Sequence, residues 1–356
     1  VALRRYHRLE VAQWGQLPAL VAAASDLLTG PGARPAPSAA TDLLDVDQMT
    51  RVLRPVLAGQ APGPQPVEVE SAAELAAARV GRRVVRYSVR GLDGAETASL
   101  VGKRFVEQRR ARLLYDHLDR LNAGPFGAGR LRVPGQVALL PAMGLVLYRH
   151  CEGTPLHLVT TPAGVADGAR LAARWLARLH GSDVRLSRGF SLAQEEKTTR
   201  EWAAVIGSRH PCLADQAHAL ADGWAAGVRA AGAVPAVPIH KDFHPGHVLV
   251  GDDVYVIDLD EARRGDPTFD VAHFCSYLEL LSDDSWGPAA RTAFLQEYVA
   301  ATGWTDPGTY RSFCAYTWLK IAKQCAVGSG PHRTVPTERR GHVVRALARG
   351  ARCLDG

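Results

Sequence analysis

One polar segment limits the possible folds of this chain more than any other part of it. Residues 239–274 read IHKDFHPGHVLVGDDVYVIDLDEARRGDPTFDVAHF. His240 and Asp242 come before a Pro-Gly turn, and the alternating pattern of 247–258 predicts a two-stranded hairpin that ends in an acidic residue, Asp258. The hairpin therefore fixes two carboxylates at the ends of neighbouring loops.

Two carboxylates in this arrangement indicate metal-assisted phosphoryl transfer. One can orient the attacking hydroxyl group and accept its proton, while the other holds Mg²⁺ against the phosphates. A metallohydrolase is the rival interpretation, because His240, Asp242, His244 and His247 spell H-x-D-x-H-x-x-H. We expect the Pro-Gly pair inside this motif to exclude the continuous helix that would bring its side chains together.

The chain is predicted to change from strands to helices near its middle. An N-terminal helical extension, 1–65, contains two Pro/Gly-rich linkers. A β-rich part, 66–150, and a mainly helical part, 151–356, follow it. The predicted strands are 67–70, 82–90, 97–105, 136–140 and 144–150. The predicted helices are 1–28, 41–58, 105–122, 162–181, 191–208, 214–231, 286–302 and 308–327.

The polar segment resembles the aminoglycoside phosphotransferase and choline kinase family, whose pattern is H-x-D-x-x-x-x-N followed by I-D-F/W and G-D-P-x-x-D. It is also similar in arrangement to the catalytic loop and metal-binding Asp of protein kinases. The sequence WLARLH, which ends at His180, resembles the helix that precedes the loop in these enzymes. The resemblance implies an α+β, two-lobed protein-kinase-like fold with a small β-rich N-lobe and a larger, mainly helical C-lobe. It spans residues 66–330 and is specific only at 239–274.

The resemblance also implies residue roles. Asp242 matches the catalytic Asp, and His240 matches the His that braces the catalytic loop. Asp258 matches the metal-binding Asp. Asp266 and Asp270 match the Gly-Asp-Pro and following Asp, which support the loop through hydrogen bonds.

The sequence departs from the family at the second metal ligand. His247 stands where the family has Asn, and imidazole suits Mg²⁺ less well than an amide oxygen does. Either Asp260 replaces it as a ligand, or His247 binds a softer ion such as Mn²⁺, or metal binding is weakened as in a pseudokinase. Lys241 also replaces a small residue, and it is expected either to touch the transferred phosphate or to be solvated.

Nucleotide-binding residues are expected upstream. Lys103, on a strand, is placed to pair with the α- and β-phosphates of ATP, and Glu107 is its predicted acidic partner. Tyr148 and His150 belong to the predicted lobe connection, whose backbone would bind adenine. Residues 71–82 are expected to form the loop that covers the phosphates, with help from Arg79.

Composition sets wider limits. The chain has 356 residues, of which 47% are hydrophobic and 22% charged, as in globular proteins. It contains no apolar run of membrane-spanning length and no export signal, and its six cysteines are scattered, so we expect a cytoplasmic protein that makes no membrane contact. The net charge of +6 has no nucleic-acid-binding motif to go with it, so no nucleic-acid partner is predicted.

The expected acceptor is a small molecule with a hydroxyl group, such as an antibiotic, a sugar or an amino-alcohol, which would connect the enzyme with antibiotic resistance. A peptide substrate, modified or only bound during natural-product biosynthesis, is the alternative. A cationic acceptor could be attracted by acidic side chains and by an aromatic wall of tryptophans. The acidic candidates are Glu195, Glu196, Glu279, Asp283 and Asp284. The protein is expected to be a monomer or a homodimer.

Overall fold

The computed structural model describes residues 41–58, 67–79, 82–91, 98–281, 286–329 and 338–355. The helix predicted over 1–28 lies outside these ranges. The chain divides into two compact units, of which the first combines the described residues up to Asp116 with Gly135–His150. The second combines His117–Pro134 with the described residues from Cys151 onward. The predicted domain boundaries stay a prediction.

The helices and strands of the described ranges follow in chain order. The helices are α1 (Val46–Ala58), α2 (Gln108–Ala123), α3 (Pro162–His180), α4 (Leu192–Arg209), α5 (Ala214–Ala231), α6 (Thr268–Leu281), α7 (Gly287–Thr302), α8 (Tyr310–Val327) and α9 (Arg339–Asp355). The strands are β1 (Val67–Arg79), β2 (Arg82–Gly91), β3 (Ala98–Phe105), β4 (Leu131–Arg132), β5 (Gln136–Leu140), β6 (Leu145–Arg149), β7 (Thr154–Pro155), β8 (Val237–Ile239), β9 (Val248–Val250), β10 (Val254–Val256) and β11 (Arg263–Gly265). None of these helices has the length and apolar character of a membrane-spanning segment.

The first unit contains a five-stranded antiparallel sheet in the order β1-β2-β3-β6-β5. The α1 helix packs on this sheet through apolar side chains that include Met49 and Leu53. Polar contacts fix its position, because the Tyr87 hydroxyl donates to the carbonyl of Leu43 at 3.1 Å and the Thr50 hydroxyl accepts from the Val69 amide at 2.9 Å. The described part of the predicted N-terminal extension therefore shares its core with this sheet.

The predicted loop at 71–82 is wrong over most of its length. Residues 71–79 continue β1, and this strand pairs with β2 from Val67 as far as Arg79, with three register shifts along the way. Ala and Glu favour strands only weakly, but pairing with the Val-rich β2 overrides that preference. The turn between the two strands falls outside the described residues.

The second unit is mainly helical, and one of its apolar clusters lies among α4, α5, α6, α8 and α9. The helices predicted within 162–327 are present with nearly the predicted bounds. Two helices, α6 and α9, were not predicted. Helix α6 is buried along most of its length, so its sequence lacks the alternation of polar and apolar faces that marks a surface helix.

Short strands in the second unit position the polar segment. Strands β9 and β10 form the predicted hairpin, whose turn is closed by the Gly251 amide donating to the Asp253 carbonyl at 3.0 Å. Strand β8 pairs with β11, which places Ile239 opposite Arg263. The start of the catalytic-type loop is thus tied to the residues that follow the hairpin.

Candidate active site

His240 links the loop of Asp242, the predicted catalytic carboxylate, to the backbone next to Asp258, the predicted metal ligand. Its Nδ1 accepts a hydrogen bond from the Asp242 amide at 3.2 Å, and its Nε2 donates to the carbonyl of Ile257 at 3.0 Å. This pattern needs a neutral ring, and complete burial lowers the pKa of His240, which favours that form. One buried imidazole therefore fixes the loop of Asp242 against the residue that precedes Asp258.

Asp270 supports the same loop from α6. Its two carboxylate oxygens accept the amide protons of His240 at 2.6 Å and of Lys241 at 2.8 Å, and His180 lies 3.2 Å from one of them. Burial opposes the ionised form, but His180 and the loop amides hold the pKa of Asp270 below its usual value. The predicted supporting role of Asp270 is confirmed.

Asp266 contacts the start of α6 and not the loop itself. Its carboxylate accepts the amide proton of Thr268, at the start of α6, and the hydroxyl proton of Thr309, both at 2.8 Å. It fixes the start of the helix that carries Asp270, so its support of the loop is indirect.

Backbone strain is concentrated beside the two carboxylates. Among the described residues, Lys241 and Asp258 are the only non-glycine residues with positive φ, at 72° and 68°. This left-handed conformation costs free energy for a residue with a side chain, and it persists where surrounding contacts require it. The contacts of Asp270 and His240 supply that requirement on the loop side.

Lys241 neither points at a phosphate nor lies in solvent, so both expectations for it are wrong. Its side chain is buried, with Nζ 3.0 Å from Glu195 and 2.8 Å from the hydroxyl of Tyr316. The ammonium also lies 4.3 Å from the ring centroid of Phe269. Burial lowers the pKa of Lys241 to about 8 in spite of Glu195. Lys241 thus anchors the strained loop in the helical core.

Asp242 itself is held by two residues that sequence reasoning missed. The ammonium of Lys320 lies 2.6 Å from Oδ1 and the Nε2 of His273 lies 3.2 Å from the same oxygen. Burial opposes ionisation, but Lys320 and His273 keep the pKa of Asp242 well below its usual range. The other oxygen, Oδ2, has no hydrogen-bond partner in the described part of the chain. The site therefore presents an ionised carboxylate with one oxygen left to accept a hydroxyl proton.

His247 has the geometry of a metal ligand. Its Nδ1 lies 2.9 Å from the carbonyl of Asp242, and since a carbonyl only accepts, Nδ1 carries the proton. In the neutral ring Nε2 then presents a lone pair, 3.4 Å from Oδ2 of Asp258. Two electron-pair donors that face each other at this distance fit a shared cation, and metal-binding histidines are commonly oriented by a contact of the other ring nitrogen with a carbonyl. A role for His247 and Asp258 as metal ligands stays a prediction.

His244 does not have that geometry. A turn, closed by the His247 amide donating to the His244 carbonyl at 2.9 Å, brings donor atoms of Asp242, His244 and His247 within 4.8 Å of one another. The Pro-Gly pair excludes a continuous helix, as expected, but the turn brings three of the four side chains of the motif together without one. Nδ1 of His244 accepts the Gly246 amide proton at 3.0 Å, so the neutral ring carries its proton on Nε2. That nitrogen has no free lone pair for a metal, which argues against the metallohydrolase.

Asp260, the other predicted metal ligand, is buried in a 3₁₀ turn at Leu259–Glu261. Its backbone carbonyl accepts from Arg188 at 3.2 Å. A role for Asp260 as a ligand stays a prediction.

The predicted nucleotide-binding residues lie in the first unit. Lys103 is buried on β3, with Nζ 5.5 Å from the ring centroid of Phe105. Glu107 precedes α2 and forms an ion pair with Arg109 at 2.9 Å. Tyr148 lies on β6, and the amide of His150 donates to the Ser99 carbonyl at 2.9 Å. The roles of these four residues stay predictions.

Most of the acidic residues expected to attract a cationic acceptor are already engaged. Glu195 is buried against Lys241 and Arg263, whereas Glu196 pairs with Arg229 and Glu279 with Arg291. Asp283 and Asp284 lie outside the described residues. Of the expected aromatic wall, Trp224 and Trp318 are buried in the helical core. The described residues therefore give a cationic acceptor little support.

Comparison with known proteins agrees with the fold. No curated protein sequence matches the chain. Among solved structures, a putative aminoglycoside phosphotransferase from Ralstonia eutropha superposes with a TM-score of 0.57 at 14% identity, covering 88% of this chain and 98% of that one. A macrolide 2′-phosphotransferase from Brachybacterium faecium superposes with a TM-score of 0.51 at 20% identity, covering 83% of this chain and 97% of that one. An amicoumacin kinase superposes with a TM-score of 0.56 at 14% identity, covering 80% of this chain and 88% of that one.

These likenesses confirm the predicted α+β kinase-like fold. A family model described as "Phosphotransferase enzyme family" matches residues 107–313, which include Asp242, Asp258 and Asp270. The predicted enzyme class, a phosphotransferase with an alcohol group as acceptor, agrees with that match. The chain therefore belongs to the phosphotransferase enzyme family.

Proposed function

We propose that this protein transfers the γ-phosphate of ATP to a hydroxyl group of a small molecule. The observation that carries the proposal is the state of Asp242: an ionised carboxylate with one oxygen held by Lys320 and the other open. The amicoumacin kinase was solved with AMP-PNP, Ca²⁺ and Ami, so a relative in fold binds an ATP analogue with a divalent cation and a small molecule.

In this mechanism Asp242 acts mainly by orientation. Oδ2 accepts a hydrogen bond from the acceptor hydroxyl and directs its oxygen at the γ-phosphorus. The new oxygen–phosphorus bond forms as the bond to the β-phosphate oxygen breaks, ADP leaves, and the hydroxyl proton passes to Asp242. The low pKa of Asp242 makes it a weak base, so the proton moves late, when the hydroxyl oxygen is already bonding to phosphorus.

The chain has residues that fit the divalent cation of such a reaction. Nε2 of His247 and the carboxylate of Asp258 would hold it, with Asp260 as a further predicted ligand. When bound, the cation would neutralise charge on the phosphates. Because one ligand is an imidazole nitrogen, Mn²⁺ should bind here better than Mg²⁺ does, although both ions suit the carboxylates.

The proposed acceptors follow the similar proteins, which include a macrolide phosphotransferase and an amicoumacin kinase. We therefore include antibiotics among the acceptors to be tried first, next to sugars and small alcohols. No contact of the described residues favours a peptide over a small molecule.

A thermal-shift screen tests the proposal before any acceptor is known. ATP with Mg²⁺ or Mn²⁺ should raise the melting temperature, whereas ATP with a chelator should raise it much less. A panel of hydroxyl compounds then separates transfer from binding through ADP release. The proposal is refuted if ATP does not bind in the presence of either metal ion.

A further inference from the structure

Lys320 has more hydrogen-bond donors than its neighbours can accept. Its ammonium carries three N–H groups, of which one meets Oδ1 of Asp242 at 2.6 Å. A second can reach Nε2 of His273, 3.4 Å away, if that nitrogen is unprotonated. At least one N–H group of Lys320 is left without an acceptor among the described residues. The side chain is 18% exposed.

Gln324 offers a second donor on the same face of α8. It lies one helical turn after Lys320, and residues four apart on a helix are neighbours. Its Oε1 accepts the hydroxyl proton of Tyr277 at 3.0 Å, which leaves the two N–H groups of the amide. The structure gives these N–H groups no acceptor in its described part. Lys320 and Gln324 thus present a cation and an amide donor side by side.

The nearby carboxylates do not compensate for this excess of donors. Glu261 acts electrostatically on Lys320, but Arg263 holds its carboxylate at 2.6 Å and Arg188 lies 3.3 Å from the same oxygen. Glu195 is buried against Lys241. Asp242 is therefore the only carboxylate in the described residues that pairs with Lys320, and its Oδ2 is reserved for the reacting hydroxyl.

We propose that Lys320 and Gln324 bind a carboxylate on the acceptor, next to the hydroxyl group that is phosphorylated. Lys320 would fix Oδ1 of Asp242 with one N–H group and hold the acceptor carboxylate with another. A charge-assisted hydrogen bond of this kind is about twice as strong as a neutral one, whereas an ammonium group at the same place is repelled. This specificity for a hydroxy acid rests on the proposed phosphotransfer.

Three compounds with one skeleton test the charge preference: glycerate, glycerol and 3-amino-1,2-propanediol. Each is titrated against the full-length protein by thermal shift, with sodium chloride matching the ionic strength. Glycerate should raise the melting temperature of the wild type, and the other two should not. In Lys320→Met the apparent affinity for glycerate should fall about tenfold or more, and in Lys320→Glu the stabilisation should disappear. Lys197→Met, an exposed lysine on α4, should respond as the wild type does.

Two controls make the result decisive. Gln324→Leu should weaken the binding of glycerate less than Lys320→Met does, because only a neutral donor is lost. Stabilisation by Mg²⁺- or Mn²⁺-bound ATP tests the phosphotransferase separately, and it should persist in Lys320→Met. If ATP does not stabilise the wild type, the result counts against the phosphotransferase and not against the carboxylate site. The carboxylate site is refuted if glycerate stabilises neither form, stabilises both equally, or is outdone by the amine.

Discussion

Lys320 places its ammonium nitrogen 2.6 Å from Oδ1 of Asp242, although 78 positions separate the two residues in the sequence. Lys320 belongs to α8, a helix that comes long after the catalytic-type loop. The ion pair keeps Asp242 ionised and restricts the rotation of its carboxylate. As a result Oδ2 has a fixed direction before any acceptor binds, which is the preorganisation that phosphoryl transfer requires.

Replacement of Asp242 by Asn should remove the acceptor of the hydroxyl proton. The amide keeps the shape of the side chain and an oxygen for Lys320, but it turns an N–H₂ group toward the hydroxyl. We expect kcat to fall roughly 10²–10⁴-fold with little change in the affinity for nucleotide. Steady-state ADP release and calorimetric titration of ATP measure the two quantities. Activity within a few-fold of the wild type would show that another group orients the acceptor.

Replacement of His247 by Asn should change the metal preference. The amide oxygen suits Mg²⁺, so activity with Mg²⁺ should be kept or raised, whereas affinity for Mn²⁺ should fall on the order of 10-fold. Electron paramagnetic resonance of free Mn²⁺ measures that affinity independently of turnover. His244→Asn is the matched control, because the proton on its Nε2 excludes it as a ligand, and it should bind Mn²⁺ as the wild type does. An equal loss of Mn²⁺ affinity in both variants would contradict the assignment of His247, and not His244, as the metal ligand.

The sequence predicted those parts of the site that are close together along the chain. His240, Asp242 and Asp258 lie on one hairpin and its entrance, so a local pattern is enough to relate them. Asp270 follows within the same segment, and its role in the loop was also predicted. Local turn geometry and a short motif carry this information.

The missed residues come from distant helices. His273 and Lys320 reach Asp242 only because α6 and α8 pack against the loop, and nothing next to them in the sequence marks them as functional. Tertiary packing also accounts for Lys241 and Glu195, whose surroundings were predicted wrongly. A lysine and a glutamate usually lie in solvent, and burial of this pair depends on tertiary packing with Tyr316. Single-sequence reasoning has no access to such contacts.

The burial of Lys241 predicts an unusual pH dependence of stability. Its pKa is about 8 in the folded protein, below its ordinary value of 10.5, so between these values the unfolded chain binds more protons. The contribution of this lysine to the free energy of unfolding therefore rises from pH 8 to 10.5 and is lost as the pH falls through 8. Urea unfolding of the wild type and of Lys241→Met should show a difference that grows over this range. A difference independent of pH would mean that Lys241 titrates normally.

Replacement of Asp270 by Asn should damage both the fold and the chemistry. The amide has one oxygen for the two loop amides that Asp270 now satisfies, so one buried N–H group is left without an acceptor. We expect the free energy of unfolding to fall by about 2–4 kcal/mol, as measured by urea titration. Because these bonds also hold Lys241 at positive φ, Asp242 should move, and kcat should fall in protein that is still folded. Asp266→Asn separates the two effects, since Asp266 contacts Thr268 and Thr309 and not the loop, so it should lower stability with a smaller loss of kcat. If both variants lose kcat only in proportion to unfolded protein, the strained loop is a structural feature and not a catalytic one.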